Sequence, residues 1–513
     1  GQMIFCKGTN FIQSDCLYAR ITDQLQEKLL RAARDAGFNM LRFWDGAMYQ
    51  RDYVFELCDQ YGILAYQDFN FACGAYPDHL EEFCREVEKE AVYQIRRLRS
   101  HPCIALWCGC GECVGLLANF LERNFFAETD PAFFTGGTYL YGQLLPRLHH
   151  ALVDTVSYQC CSPFGGFADQ QVPEQGDMHF YPFLDLRPEN QQNRISTESF
   201  NELDCKFLTE GGAMGPPSAE ALARYCGGKE NCLPENPIFE HHRNTFERDA
   251  VRDGIFKHYT GKRELSLEEY CLYGGLFQGT LLSYAADHLR LCENCNGVLF
   301  WCLNDGFGEV GFSVMDHDGN PKPAYYFLRR AYGKNRIVLR QENGLVKIYC
   351  GNDKSTSQKV HITCGYVSFE GAYGKKTELT AELPPFTKAS LVGTIPVEQW
   401  DLRCGAVYAK SENEDILTAV LRVGDFRQLC LPREANLTVH DVQRQGSTIR
   451  LVITADVFAH AVHLQLDAAQ PVSDAYFDLL PGESRCITIF DAENLSTAAI
   501  HSASVFTAAQ KKS

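Results

Sequence analysis

Short apolar runs alternate with amphipathic stretches through roughly the first 330 residues of the chain. After the first apolar run, Leu25 and Leu29 recur on one face of a helix that Thr22 or Asp23 can cap and Gly37 can end. The runs predicted as strands are 4–6, 39–44, 63–68, 104–112, 157–160, 177–181, 206–210 and 297–303. Further helices are predicted at 53–60, 80–99, 138–151, 218–226, 264–290 and 321–332.

Eight strands that alternate with helices predict an α/β fold, namely a (β/α)8 TIM barrel. An open doubly wound sheet would place a phosphate-binding glycine loop after its first strand, and this sequence has no such loop there. From residue 335 the helical period gives way to runs that alternate apolar and polar side chains, as in 344–349, 358–363 and 447–454. We therefore predict a barrel at 1–334, a β-sandwich at 335–430 and a C-terminal immunoglobulin-like β-sandwich at 431–513.

Charge and cysteine content narrow the class of protein. The net charge of -17 over 513 residues argues against nucleic acid or an anionic membrane surface as partner. No run approaches the roughly 18 apolar residues of a membrane span. Several of the 23 cysteines, such as Cys6, Cys103 and Cys302, lie within apolar runs, as small buried hydrophobes do. The chain is therefore expected in a reducing cytoplasm.

Two carboxylates stand where a barrel enzyme places its chemistry. Glu112 and Glu210 each close an apolar run, and side chains at the carboxyl ends of barrel strands face the mouth of the barrel. Retaining glycoside hydrolysis needs an acid and a nucleophile about 5 Å apart, and strands four and seven can supply that pair. The alternative interpretation is that both glutamates are solvated residues on the rim of the barrel.

Other strand ends carry aromatic and polar side chains suited to a sugar. Sugars present apolar C–H faces and a ring of hydroxyls, so their sites combine a stacking indole with charged hydrogen-bond partners. The candidates are Arg42, Trp44, Asp68, His179, Tyr181, Trp301, Asn304 and Asp305. Each has a structural alternative: Trp44 as a core residue, Arg42 as a bridge to Asp68 alone, and His179 as an internal histidine.

Ordered motifs resemble the β-mannosidases of glycoside hydrolase family 2. They are GTN at 8–10, NMLRFW at 39–44, GILAYQDFNFAC at 62–73, RRLRSHP at 96–102, SPFGG at 162–166, GDMH at 176–179, FLTE at 207–210, EHH at 240–242, WCLND at 301–305, PKPAYY at 321–326 and YFDLLPGE at 476–483. The resemblance implies an exo-acting retaining hydrolase that removes a terminal β-mannose without a metal or organic cofactor. It implies that Glu112 is the acid/base, that Glu210 is the nucleophile, and that the candidates named above surround the sugar.

The chain departs from this family at several points. The family's asparagine before the acid/base, which hydrogen-bonds the sugar near its 2-hydroxyl, is Gly111 here, between the thiols of Cys110 and Cys113. The aromatic-rich stretch after the nucleophile is GGAM at 211–214, and the Cys-Trp-Pro beyond Asp305 is GFG at 306–308. Contacts at the 2-hydroxyl strengthen in the transition state. The change at Gly111 therefore predicts slower mannoside cleavage or another β-glycoside as substrate.

The family places a jelly-roll domain and an immunoglobulin-like domain before its barrel, whereas this sequence starts at the first barrel strand. An open subsite is expected, and the chain is interpreted as a fragment, as a divergent short form, or as a protein whose missing wall comes from a partner chain or a second copy.

Two further function classes stay open. One is a glycan-binding pseudoenzyme. The other is a soft-metal or redox protein, because Cys108, Cys110 and Cys113 lie close together and thiolates favour zinc or iron–sulfur clusters. Their Cys-x-Cys-x2-Cys spacing is not a standard signature, so no metal ligands are predicted.

Overall fold

The computed structural model describes residues 3–114, 136–153, 155–165, 172–184, 193–232, 234–262, 264–413, 415–432 and 434–501, together with the backbone of 505–506. Eight parallel strands form its N-terminal sheet. They are β1 (Cys6–Phe11), β2 (Met40–Phe43), β3 (Leu64–Asp68), β4 (Ile104–Cys108), β5 (Ser157–Gln159), β6 (Met178–Phe180), β7 (Leu208–Gly211) and β8 (Gly297–Phe300). The predicted (β/α)8 barrel is confirmed.

Helices surround this sheet. They are α1 (Asp23–Asp35), α2 (Asp52–Tyr61), α3 (Glu81–Leu98), α4 (Leu145–Leu152), α5 (Ala219–Tyr225), α6 (Pro237–His241), α7 (Ala250–His258), α8 (Leu267–Leu291) and α9 (Pro323–Ala331). Thr22 caps α1 by accepting the Leu25 N–H at 3.2 Å, and Gly37 follows with a left-handed φ of 76°. Ser266 and Glu269 form a capping box at the start of α8.

The order of strands in the sheet is β5-β4-β3-β2-β1-β8-β7-β6, so β5 and β6 are its two ends. We call the junction between these two ends the seam. Side chains span the seam: Oδ1 of Asp177, just before β6, accepts hydrogen bonds from Gln159 Nε2 at 2.6 Å and from the Phe164 N–H at 2.8 Å, and Oδ2 accepts one from Ser162 Oγ at 2.6 Å. Thr209 Oγ1, on β7, also donates to Oδ2 of Asp177. One buried carboxylate therefore links both ends of the sheet.

Antiparallel sheets follow the barrel. One domain has the sheets β13-β10-β9 and β12-β11-β14-β15, and the next has β16-β17-β20 and β19-β18-β21. Their bounds are β9 (Asn335–Glu342), β10 (Leu345–Asn352), β11 (Gln358–Ser368), β12 (Thr377–Leu383), β13 (Thr387–Pro396), β14 (Gly405–Ser411), β15 (Ala419–Leu421), β16 (Leu437–Gln445), β17 (Thr448–Ala455), β18 (Ala459–Leu464), β19 (Phe477–Leu479), β20 (Ser484–Ile489) and β21 (Val505–Phe506). Each pair of sheets encloses its own apolar core, so the predicted C-terminal β-sandwiches are present.

Partly buried ion pairs join the barrel to these domains. Lys7 on β1 donates to Asp353 at 2.6 Å, and Arg330 on α9 donates to Asp474 at 2.5 Å. The part of the chain that the structure describes contains no helix that is both long enough and apolar enough to cross a bilayer.

Candidate active site

A fully buried guanidinium lies at the centre of the barrel mouth. Arg42, on β2, places Nε and Nη2 at 3.0 and 2.8 Å from Oδ2 of Asp68, at the end of β3. Its Nη1 donates to Oε1 of Glu210 on β7 at 2.6 Å and to Oδ1 of Asn10 on β1 at 3.3 Å. Parallel strands in register bring these side chains to one level of the barrel, as the pairing of Asn10 with Arg42 shows.

Glu210 lies on the floor of the site. Its side chain is 7% exposed. Tyr181 donates its phenolic hydrogen to Oε2 at 2.8 Å, while Arg42 occupies Oε1. A carboxylate held by one cation and one phenol has a fixed orientation, as a nucleophile requires.

Glu112 lies on the opposite side and is more open, with 35% of its side chain exposed. Its φ of 59° is left-handed, and its N–H donates to the Ser162 carbonyl at 2.8 Å. Nδ1 of His179 lies 2.8 Å from Oε1, and the Cys73 thiol lies 3.6 Å from Oε2. Burial raises the pKa of Glu112, but the hydrogen bond and charge of His179, followed by Cys73, outweigh it and bring the pKa below its ordinary value.

The two glutamates are close enough for retaining chemistry. Glu112, His179 and Glu210 each offer a ligand-type atom, and these atoms lie within 4.8 Å of one another, so a carboxylate oxygen of one glutamate is within 4.8 Å of one on the other. Retaining glycosidases hold their carboxyl groups about 5–5.5 Å apart, and inverting enzymes about 6.5–9.5 Å apart. His179 stands between the pair, 3.4 Å from Oε2 of Glu210.

A hydrogen-bonded chain fixes His179. Its Nε2 lies 3.1 Å from Ser162 Oγ, and that hydroxyl donates to Asp177 at 2.6 Å. The support for Glu112 therefore crosses the seam, from Ser162 to Asp177 and His179.

Two carboxyl groups lie behind Arg42. Burial raises the pKa of Asp68 to about 6, although the charge of Arg42 opposes this rise. Burial first, and then the charge of Asp68, raise the pKa of Asp45 well above its ordinary value. Oδ2 of Asp45 accepts the Gly111 N–H. The raised pKa favours the neutral form of the Asp45 carboxyl.

The remaining candidates fall into two groups. The rings of Trp44 and Trp301 meet edge to face with centroids 4.8 Å apart, and both are partly exposed, which suits the apolar faces of a sugar. Asn304 instead exchanges hydrogen bonds with the backbone of Ile12 at 3.1 and 3.3 Å. Asp305 accepts from Ser313 Oγ at 2.6 Å and lies 3.6 Å from Lys322 Nζ. Their roles at the sugar stay predictions.

The Cys110 thiol contacts those of Cys113 and Cys161, but among the described residues no three of these sulfurs lie within 4.8 Å of one another. Cys108, Cys110 and Cys113 direct their sulfurs towards the backbone carbonyls of Cys110, Cys160 and Phe71, at 3.2 to 3.6 Å. Among the described residues the convergent metal-type groups are Asp59–His101–Cys103 and Glu112–His179–Glu210. In the second group Arg42 and Tyr181 already donate to both oxygens of Glu210. A metal site built on Cys108, Cys110 and Cys113 thus has no support among the described residues.

The sequence did not predict four contacts of the site. Asp45 lies against Gly111, Cys73 contacts Glu112, and Ser162 and Asp177 support His179. Each of these residues closely follows or precedes a barrel strand, which is the signal that could have drawn attention to them.

Three comparisons agree with this architecture. A family model described as an Ig-fold domain, Ig_mannosidase, matches residues 433–507. The chain is 25% identical to β-mannosidase B of Aspergillus flavus, over 95% of this chain and 60% of that protein. It is 28% identical to β-mannosidase B of Emericella nidulans, over 67% of this chain and 41% of that protein.

A crystal structure of β-D-mannosidase from Dictyoglomus thermophilum superposes with a TM-score of 0.87 at 27% identity, over 98% of this chain and 60% of that one. The exo-chitosanase CsxA of Amycolatopsis orientalis, at 14% identity and a TM-score of 0.69 over 95% of this chain and 61% of that one, shares the fold. The chain spans about 60% of the length of the Aspergillus flavus relative. With a barrel, an Ig-fold domain and relatives of this kind, the chain is similar to the β-mannosidases of glycoside hydrolase family 2.

Proposed function

We propose that this chain carries the active site of a retaining exo-glycosidase that removes a terminal β-linked sugar, with β-mannose the first candidate. The observation that carries the proposal is the pair Glu112 and Glu210, with carboxylate oxygens within 4.8 Å of each other and with unequal surroundings. The names of the relatives in Aspergillus flavus and Dictyoglomus thermophilum support β-mannose.

The mechanism has two displacements. Protonated Glu112 gives its proton to the glycosidic oxygen while Glu210 attacks the anomeric carbon, so the aglycone leaves as an alcohol and a glycosyl ester forms on Glu210. Glu112, now a carboxylate, removes a proton from water, which attacks the same carbon and releases Glu210. Two inversions leave the sugar with its original anomeric configuration.

The unequal surroundings suit these two roles. Glu210 is buried and oriented by Arg42 and Tyr181, whereas Glu112 is a third exposed and can reach both an incoming aglycone and water. Trp44 and Trp301 offer apolar edges for the C–H face of the ring. Arg42, with Asp68 behind it, and His179 are buried, so they act on the sugar through Glu210 and Glu112, which they hold in place.

The test is hydrolysis of a panel of aryl β-mannoside, β-glucoside, β-galactoside and β-glucuronide substrates, with the anomer of the first product followed by NMR. Glu210→Ala is expected to abolish turnover. Glu112→Gln is expected to spare cleavage of an activated aryl glycoside and to remove cleavage of a disaccharide, because only the disaccharide needs the proton. Glu309→Gln, a matched change at a carboxyl away from the pair, is expected to keep activity.

Turnover of no glycoside by folded protein contradicts the proposal. The same outcome, combined with saturable binding of a sugar measured by calorimetry, would identify a glycan-binding pseudoenzyme. A product of inverted configuration contradicts the assigned role of Glu210.

The mouth of the barrel also presents apolar side chains to solvent. Leu17, Met48, Leu80 and Phe307, in the loops that follow β1, β2, β3 and β8, are 57%, 55%, 50% and 40% exposed. Apolar groups exposed together mark association surfaces. We propose that a partner chain or a second copy covers this face. Sedimentation of the wild type and of Leu17→Lys/Met48→Lys tests self-association. If the wild type sediments as a monomer, a second copy is excluded and a partner chain is the occupant that remains.

The cysteines support a reducing compartment. All 23 are free thiols in the structure, and most are buried. We propose that the protein works where thiols stay reduced. Reaction of all 23 thiols with a maleimide after denaturation, without prior reduction, is the expected result for protein freshly isolated from its native cells.

A further inference from the structure

Gly111 and Asp45 fit together tightly beside the acid/base. A Cβ atom added at Gly111 would lie 2.5 and 2.6 Å from the two carboxyl oxygens of Asp45 and 2.9 Å from its Cγ. Oδ2 of the same carboxyl accepts the Gly111 N–H. The Asp45 side chain therefore occupies the space of any side chain at position 111.

The residue that follows Gly111 needs this support. Glu112 has a φ of 59°, in the left-handed region that a residue with a Cβ atom adopts only when its surroundings impose it. Its own N–H is held by the Ser162 carbonyl, and the Gly111 carbonyl accepts the Cys73 N–H at 2.9 Å. These contacts come from the β3 and β5 sides, whereas Asp45 approaches from the β2 side.

We propose that Asp45 is the positioning residue of the acid/base: its carboxyl packs on the α-carbon of Gly111, holds the Gly111 N–H, and so sets where the Glu112 carboxyl stands. This inference rests on the proposed acid/base role of Glu112. Asp45 does not touch the reacting atoms, and its residue is 3% exposed. Burial first, and then the charge of Asp68, raise its pKa well above the ordinary value, which favours the neutral form beside Glu112.

The experiment is a double-mutant cycle on the full chain. Gly111→Ala is expected to lower kcat/KM about 100-fold, because the new methyl displaces the backbone that carries Glu112. Asp45→Gly in that background makes room for the methyl and is expected to raise kcat/KM again by at least about tenfold. Asp45→Asn keeps an oxygen acceptor of the same shape and is expected to retain most activity. The melting temperature of each variant is measured alongside.

The matched control is Gly109→Ala. A methyl at Gly109 would meet Tyr158 and the Cys160 carbonyl instead of Asp45. Asp45→Gly is therefore expected not to rescue the Gly109→Ala defect, in activity or in melting temperature. Equal rescue of both glycine variants would mean a general loosening of the barrel and would overturn the inference.

Leaving groups separate positioning from mere folding. If Asp45 acts through Glu112, Gly111→Ala and Asp45→Ala lose more activity on a disaccharide than on an activated aryl glycoside, because only the disaccharide needs a well-placed proton donor. An equal loss on both substrates overturns the positioning role. If the melting temperatures show no coupling between positions 45 and 111, the positioning role is overturned, whether or not the wild type is active. A wild type that cleaves no glycoside, with the coupling intact, overturns the proposed function alone.

Discussion

Nη1 of Arg42 lies 2.6 Å from Oε1 of Glu210, at a point where the guanidinium is fully buried and the carboxylate 7% exposed. Because the same guanidinium also pairs with Asp68, its removal leaves two buried carboxylates without their cation. We expect Arg42→Met to lower the free energy of unfolding by about 3–5 kcal/mol and to abolish turnover.

Arg42→Lys keeps the charge but loses the planar fork that reaches both carboxylates. We therefore expect its stability and its turnover to lie between those of the wild type and of Arg42→Met. Urea unfolding and kcat/KM on an aryl β-mannoside measure both effects. Wild-type stability in Arg42→Met would show that the guanidinium does not hold these two side chains.

Tyr181 provides the second hydrogen bond to Glu210, at 2.8 Å. A hydrogen bond to a charged group contributes about 1.5–3 kcal/mol, so Tyr181→Phe is expected to lower kcat about 10- to 100-fold through a less well-oriented nucleophile. Tyr53→Phe is the matched control, because its hydroxyl donates to Glu27 between two outer helices. If both variants lose kcat equally, the effect of Tyr181 is not specific to Glu210.

His179 holds the pKa of Glu112 down against the burial that raises it. The acid step needs protonated Glu112, so kcat/KM falls as pH rises through this pKa, and a lowered pKa places the falling limb at low pH. In His179→Asn burial prevails, and the falling limb is expected to move to higher pH. The measurement is kcat/KM against pH on a substrate with a poor leaving group. A limb that stays in place or moves to lower pH would contradict this account.

Glu309, in the loop after β8, offers a test that involves only stability. Burial first, and then the charge of Asp305, raise its pKa from 4.5 to about 7. A pKa raised by folding contributes stability that is complete below pH 4.5 and is lost as pH rises through about 7. In the wild type, this group lowers the free energy of unfolding by at most about 3 kcal/mol over this range. We expect Glu309→Gln to remove that fall. Urea unfolding at pH 4.5, 6 and 8 measures it, and parallel curves for both proteins would refute the assignment.

Local patterns predicted the elements of the barrel well because each depends on neighbours in sequence. Thr22 and Gly37 delimit α1 as the capping signals indicated, and seven of the eight apolar runs coincide with strands, whereas the first run, 4–6, meets β1 only at Cys6. The stretch before α4 differs: Leu140–Leu144 is a π-helical turn, which apolar periodicity does not distinguish from an α-helix.

Contacts between strands were harder to predict. The strand ends brought Glu112, Glu210 and Arg42 together as expected, because all barrel strands present their carboxyl ends at one mouth. Asp45 and Gly111 are 66 positions apart, and their fit depends on the conformation of the loop after β2. The sequence showed an unusual glycine before Glu112, and only the three-dimensional structure shows the carboxyl that fills the space beside it.

The two glutamates of the site lie on opposite sides of the seam. Glu112 follows β4, next to one end of the sheet, and Glu210 lies on β7, next to the other end. The junction between β5 and β6 therefore lies between the two glutamates, and Asp177 ties it with side-chain hydrogen bonds. A slight opening of this junction would separate the two glutamates without disturbing either one's own strand. If the proposed function holds, we expect a widening of this junction to lower turnover before the barrel unfolds.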